Sequence, residues 1–126
     1  MWKDSFAIGV NHIDAQHKAL VGCIENLGDK AQKEDPTDFL EALDFLKEYA
    51  VQHFSDEEEY QELIGFDERK EHKTMHDKFI QEVLLFEKQM NDFGNSVAIR
   101  TKFNSFLFNW LIKHVCFEDQ KMKEYY

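Results

Sequence analysis

Apolar residues recur every three or four positions along four stretches of the chain, and this spacing predicts four amphipathic helices. Their expected bounds are about 12–32, 36–64, 67–91 and 97–123, after an N-terminal arm over 1–10 without helical period. One Pro, five Gly and no alternating strand pattern leave few interruptions in these stretches. We therefore predict an all-α fold, an up-down-up-down four-helix bundle with short loops and an N-terminal arm, forming a single domain over 1–126.

Residues that favour helix ends stand where the apolar stripes begin and stop. Asn11 is a candidate N-cap of the first helix, and Asp35 is one for the second, with Pro36 at its first helical position. Gly65 predicts the end of the second helix, and Ser96 predicts the cap of the fourth.

Five of the six histidines fall on the predicted core faces, one or more in each helix, and Glu57 continues the stripe of the second helix. A single histidine on an apolar face is usually an ordinary core residue. Five together favour a metal site, because apolar stripes offer few hydrogen-bond partners for buried imidazoles and because a buried carboxylate needs a charged partner. The five are His17, His53, His72, His76 and His114.

The types of ligand favour iron. Imidazoles with few carboxylates suit neither the oxygen-rich shells of calcium and magnesium nor the thiolate-containing shell of a structural zinc site. So many ligands exceed what one ion needs and fit two, with Glu57 as the first candidate for a carboxylate bridge. For a second bridge, spacing favours Glu118, four residues after His114, over Asp119, five residues after it.

Four motifs together resemble the hemerythrin family, and most of all its single-domain bacterial members, the bacteriohemerythrins. They are Gly9-Val10 with Ile13-Asp14-Ala15-Gln16-His17, then His53-Phe54-Ser55-Asp56-Glu57, then His72 with His76, and Trp110-Leu111-Ile112-Lys113-His114 followed by Asp119.

The resemblance implies a centre of two iron ions (Fe²⁺/Fe³⁺) joined by Glu57, by Asp119 and by an oxo or hydroxo bridge. It implies Asp119 in place of Glu118, and hence a local widening of the fourth helix. The metal ligands would divide into a three-histidine set, His72, His76 and His114, and a two-histidine set, His17 and His53.

The function implied is reversible O₂ binding at the two-histidine iron, for oxygen transport or storage, without enzymatic activity. Trp110 is the best candidate to line the O₂ pocket, and further aromatic residues could form its dry wall: Phe54, Phe79, Phe106 and Phe117. Two alternatives share these ligands. One is an O₂ or redox sensor domain, and the other is a di-iron peroxidase or ferroxidase, or an iron- or nitric-oxide-handling protein.

The formal net charge of −10 argues against nucleic acid and anionic membranes as partners, since both attract basic surfaces. Apart from Glu57, the acidic run from Asp56 to Glu59 is expected to be a solvated face. Cys23 and Cys116 are too far apart in sequence to suggest a disulfide framework, and we expect two reduced thiols, with Cys116 at the surface. We expect a complete, soluble, cytoplasmic chain without a signal peptide.

Overall fold

The computed structural model describes residues 2–125, apart from the side chains of Cys116 and 123–125, so the prediction for Cys116 lies outside the described residues. Over this range the chain is helical and contains no strand. The α-helices are α1 (Asn11–Ala31), α2 (Thr37–Ile64), α3 (Arg69–Phe93) and α4 (Val97–Lys113). A 3₁₀ turn (Asp4–Phe6) precedes them, and a π-helical turn (His114–Glu118) and a 3₁₀ segment (Asp119–Tyr125) follow.

The four α-helices form the predicted bundle. The first helix, α1, packs against α2 and α4, and α3 packs against the same two helices, so the four surround one core. The stripes predicted from the sequence point inward, and they are buried from one end of the bundle to the other, for example at Leu27, Phe39, Leu43 and Phe103. In the part of the chain that the structure describes, no helix combines the length and apolar character that crossing a membrane requires.

The N-terminal arm packs across one end of the bundle. Ile8 is buried in a small cluster with Ile13 of α1 and with Met122 beyond α4. The prediction that Asn11 caps α1 is wrong, because the helix already includes Asn11. The side chain of Asp14 holds the arm in place of a cap, accepting hydrogen bonds from the backbone N–H groups of Ile8 (2.7 Å) and of the following glycine (3.1 Å).

Other helix ends follow the sequence more closely. Pro36 stands one position before α2 and not inside it, but the Asp35 carboxylate still accepts the N–H of Thr37 at 2.9 Å. Gly65 ends α2 in the left-handed conformation, with φ of 70°, which only glycine adopts without strain. The predicted cap at Ser96 is confirmed, since its hydroxyl accepts the N–H of Ile99.

The C-terminal part of the predicted fourth helix departs from α-helical geometry. The α-helix stops at Lys113, ten residues before the expected end at 123, and the predicted widening is confirmed as a π-helical turn. Here the N–H of Asp119 bonds to the carbonyl of His114, five residues back. This extra residue in the turn brings Asp119, and not Glu118, into line with His114.

A buried arginine joins the far end of the bundle. Arg100 is 1% exposed, and its guanidinium donates to the backbone carbonyls of Ala31, Lys33 and Asn95. These carbonyls lie where α1 ends and where the α3–α4 loop begins, so their partial negative charge attracts the guanidinium. Arg100 therefore ties three segments together at the end opposite the histidines.

Candidate metal centre

All seven residues that the resemblance implies as ligands meet inside one end of the bundle. Each is at most 4% exposed, in an interior where charged and polar groups need partners. The pairs on α2 and α3 converge because residues four apart share a helix face, and the glycine turn folds these helices against each other. The converging residues are His17 from α1, His53 and Glu57 from α2, His72 and His76 from α3, and His114 and Asp119 from the chain after α4.

Glu57 lies at the middle of the cluster and divides its two oxygens between two sets of imidazoles. Its Oε2 lies 3.1 Å from Nε2 of His17 and 3.4 Å from Nε2 of His53. Its Oε1 lies 2.8 Å from Nε2 of His72 and 3.1 Å from Nε2 of His76. A carboxylate with this arrangement can offer one oxygen to each of two metal ions.

Asp119 repeats the arrangement from the opposite side. Its Oδ2 lies 2.9 Å from Nε2 of His17, and its Oδ1 lies 2.9 Å from Nε2 of His72 and 3.0 Å from that of His114. The side chain of Glu118 is 19% exposed and pairs with a surface lysine. The preference for Glu118 that spacing suggested is therefore wrong, because it assumed an uninterrupted α-helix.

The donor atoms form two groups of four, each with all its atoms within 4.8 Å of one another. One is Glu57, His72, His76 and His114, and the other is His17, His53, Glu57 and Asp119. Neither oxygen of Asp119 has a hydrogen-bond partner, although the residue is fully buried. Buried, unpartnered oxygens beside converging imidazole nitrogens fit metal coordination, and the nitrogen and oxygen donors suit iron.

The carboxylates strongly affect the protonation of the histidines. Burial alone lowers the pKa of His17 and of His72, but the adjacent carboxylates of Asp119 and Glu57 outweigh it and raise these pKa values to about 10 and about 9. Burial dominates for His53 and lowers its pKa. Burial tends to raise the pKa of Glu57, but the surrounding histidines hold it well below its usual value. Without metal, the centre therefore carries protons that compensate its two carboxylates.

Two of the imidazoles are held from behind by hydrogen bonds at Nδ1. The Nδ1 of His53 lies 2.7 Å from Oε1 of Gln16, and the Nδ1 of His76 lies 2.9 Å from Oε2 of Glu58. Each contact leaves Nε2 directed at the carboxylates, as metal-binding histidines require. Neither partner was predicted from the sequence, and Glu58 was expected to be solvated, although Gln16 is next to His17 and Glu58 is next to Glu57.

Aromatic rings cover the three-histidine side. The ring of Phe54 stacks on His76 with centroids 4.0 Å apart, and Trp110 stacks on His114 at 4.4 Å. Trp110 also lines a surface groove of about 420 Å³ beside His114, whereas the predicted O₂ position is on the side of His17 and His53. Phe117 was expected in the dry wall, which is wrong, because it is 66% exposed. The π-helical turn rotates it outward as it rotates Asp119 inward.

Comparisons with known proteins agree with this geometry. The family model of the hemerythrin HHE cation binding domain matches residues 8–126. A bacteriohemerythrin of Clostridium acetobutylicum is 33% identical over 126 residues, which cover 96% of each chain. A hemerythrin-like protein of Naegleria gruberi is 31% identical over 97% of this chain and 89% of its own. A crystal structure of wild-type hemerythrin superposes with a TM-score of 0.88 at 26% identity, covering 98% of this chain and 95% of its own. The chain belongs to the hemerythrin family.

Proposed function

We propose that the chain holds two iron ions at this centre and binds O₂ reversibly, as an oxygen carrier or store. The observation that supports this most strongly is the way Glu57 and Asp119 each divide two oxygens between the same two sets of histidines. Two carboxylates in this position can bridge two ions, while five imidazoles complete the shells. Membership of the hemerythrin family supports the choice of iron and of O₂.

The unequal number of histidines gives the two sides different roles. His72, His76 and His114 face one side of the carboxylate pair, while only His17 and His53 face the other. We therefore assign O₂ to the side of His17 and His53, where one donor fewer leaves a position open. Ferrous iron, when bound, supplies the electrons that O₂ binding requires.

The residues around the centre favour binding over further reaction. The two bridging carboxylates are the only acidic groups among the seven ligands, so they add little negative charge that would favour highly oxidised iron. Burial excludes bulk water, which promotes oxidation, from the ligands. We propose a cytoplasmic location, where thiols such as the free thiol of Cys23 stay reduced.

Oxygenation cycles test the proposal directly. The iron-loaded protein is reduced without air, exposed to O₂ and returned to an O₂-free atmosphere, while visible absorption follows several cycles. Stable cycling with two irons per chain is the expected result. Prompt irreversible oxidation would overturn the carrier function in favour of a sensor, and turnover with peroxide would overturn it in favour of an enzyme.

A matched pair of variants shows that the signal comes from this centre. Glu57→Gln removes the bridging charge and should lose most of the iron and the O₂-dependent absorption. Glu59→Gln makes the same chemical change at an exposed position two residues away and should behave as the native chain does.

A further inference from the structure

The two histidines that are held at Nδ1 have partners of different charge. His53, in the two-histidine set, has the neutral amide of Gln16 behind it, at 2.7 Å. His76, in the three-histidine set, has the carboxylate of Glu58, at 2.9 Å. The two sides of the centre therefore differ in the hydrogen bonds behind the ligands as well as in ligand number.

The orientation of Gln16 follows from its second contact. Its Nε2 lies 2.7 Å from Oδ2 of Asp56, and a carboxylate can only accept a hydrogen bond, so the amide nitrogen must face Asp56. The amide oxygen then faces His53 and accepts the Nδ1 proton. Gln52 donates to the other oxygen of Asp56 at 2.9 Å and anchors it. This chain of hydrogen bonds leaves the Nε2 lone pair of His53 directed at the metal centre.

The carboxylate of Glu58 affects His76 more strongly than the amide of Gln16 affects His53. Glu58 also can only accept, so the Nδ1 of His76 carries a proton and its Nε2 is the nitrogen left to bind metal. Hydrogen bonds to a charged acceptor are roughly twice as strong as neutral ones. A carboxylate behind an imidazole therefore makes the ring a better electron donor than an amide does.

We propose that Gln16 and Glu58 are positioning residues that make His53 the weaker and His76 the stronger donor, an inference that rests on the iron-binding function proposed above. Stronger donation favours ferric over ferrous iron. The carboxylate thus stabilises oxidised iron on the three-histidine side, while the amide keeps the O₂-binding side easy to reduce. The amide of Gln16 keeps the charge of Asp56 away from His53. This favours release of O₂ over permanent oxidation of the iron.

A charge exchange tests the side of His53. The double variant Gln16→Glu with Asp56→Asn exchanges the amide and the carboxylate, so that the carboxylate contacts His53 directly. The net charge is unchanged. The new amide can still donate to the new carboxylate, so the hydrogen bonds are preserved. We expect a lower reduction potential of the iron pair and oxidation of the oxygenated form that is faster by roughly tenfold, the low end of the effects of such partners.

The opposite change tests the side of His76. Glu58→Gln keeps an acceptor for Nδ1 but removes its charge, and it should raise the reduction potential. Glu59→Gln is the control for net charge and should leave the potential at the native value. The inference is overturned if the charge exchange and Glu58→Gln leave the potential unchanged or move it in the same direction.

The metal-free protein supplies a readout that is independent of O₂. Ring ¹⁵N chemical shifts should show Nδ1 of His53 and Nδ1 of His76 protonated in the native chain. In Gln16→Ala, the His53 signal should shift toward a mixture of the two tautomers, while the His76 signal stays. An unchanged His53 signal would refute the positioning role of Gln16. Native protein whose iron fails to cycle with O₂ would instead refute the proposed function, and the potentials and tautomers would still decide this inference.

Discussion

Asp119→Asn tests which carboxylate completes the metal centre. The substitution preserves size and removes charge from a residue that is fully buried, with oxygens 2.9 Å from Nε2 of both His17 and His72. Glu118→Gln is the matched control. It makes the same change one residue earlier, where the carboxylate pairs with Lys121 at the surface.

The magnitude follows from the charges that the carboxylate faces. In the metal-free protein at pH 7, the raised pKa values of about 10 and about 9 leave His17 and His72 protonated. Removing one partner of a buried ion pair costs about 3–5 kcal/mol, so Asp119→Asn should lower the free energy of unfolding by at least about 3 kcal/mol. The exposed pair of Glu118 contributes little, and its loss should change stability little.

Two measurements check the prediction. Chemical denaturation of the metal-free variants gives the free energy of unfolding, and metal analysis after loading and desalting gives iron per folded chain. Asp119→Asn also removes one of the two charged bridges between the sets of histidines, so it should retain less than the two irons expected of the native chain. Native iron content in Asp119→Asn, with a loss in Glu118→Gln, would refute the reasoning and restore the bridge that spacing favoured.

Three further predictions follow from the same structure. Loading the metal-free protein with ferrous iron at pH 7 without air should release at least two protons per chain, those of His17 and His72, which calorimetry in buffers of different ionisation enthalpy can count. Since the folded pKa values of these two histidines lie above the unfolded value of 6.5, their stabilisation of the metal-free chain is fully present below about pH 6.5 and is lost as the pH rises through 9 and 10. A denaturation series across this pH range should show a decrease in the free energy of unfolding of the metal-free protein and a smaller decrease in the iron-loaded protein. Equal decreases in the two forms would contradict this prediction. Arg100→Met should lower the free energy of unfolding by about 3 kcal/mol, because it leaves buried carbonyls without donors. Iron per folded chain should stay at the native value. The control Lys102→Met, at an exposed position, should change neither quantity.

The bundle and most of the cluster were predictable because helix periodicity is a local property. Residues four apart share a face in any α-helix, so the spacing of His53 with Glu57 and of His72 with His76 already predicts convergence. Gly65 marks the turn between these helices for an equally local reason, since few other residues adopt its backbone conformation.

The same rule misled where the helix changes its period. Ideal spacing favours Glu118, and only resemblance to a family pointed to Asp119. The structure shows the cause, a π-helical turn in which Asp119 bonds back to His114. The turn buries Asp119 and leaves Phe117 exposed, which no count along an α-helix anticipates.

The sequence by itself determined four helices, an inward stripe in each, and the five histidines and Glu57 as residues able to hold metal, because these depend on spacing within one helix. Only the tertiary structure decided how these ligands divide between the two metal positions. The division of the Glu57 and Asp119 oxygens, the protonation of His17, and the different partners of His53 and His76 all depend on distances between helices. Electrostatic and hydrogen-bond energies change steeply over such distances, and spacing along one helix does not determine them.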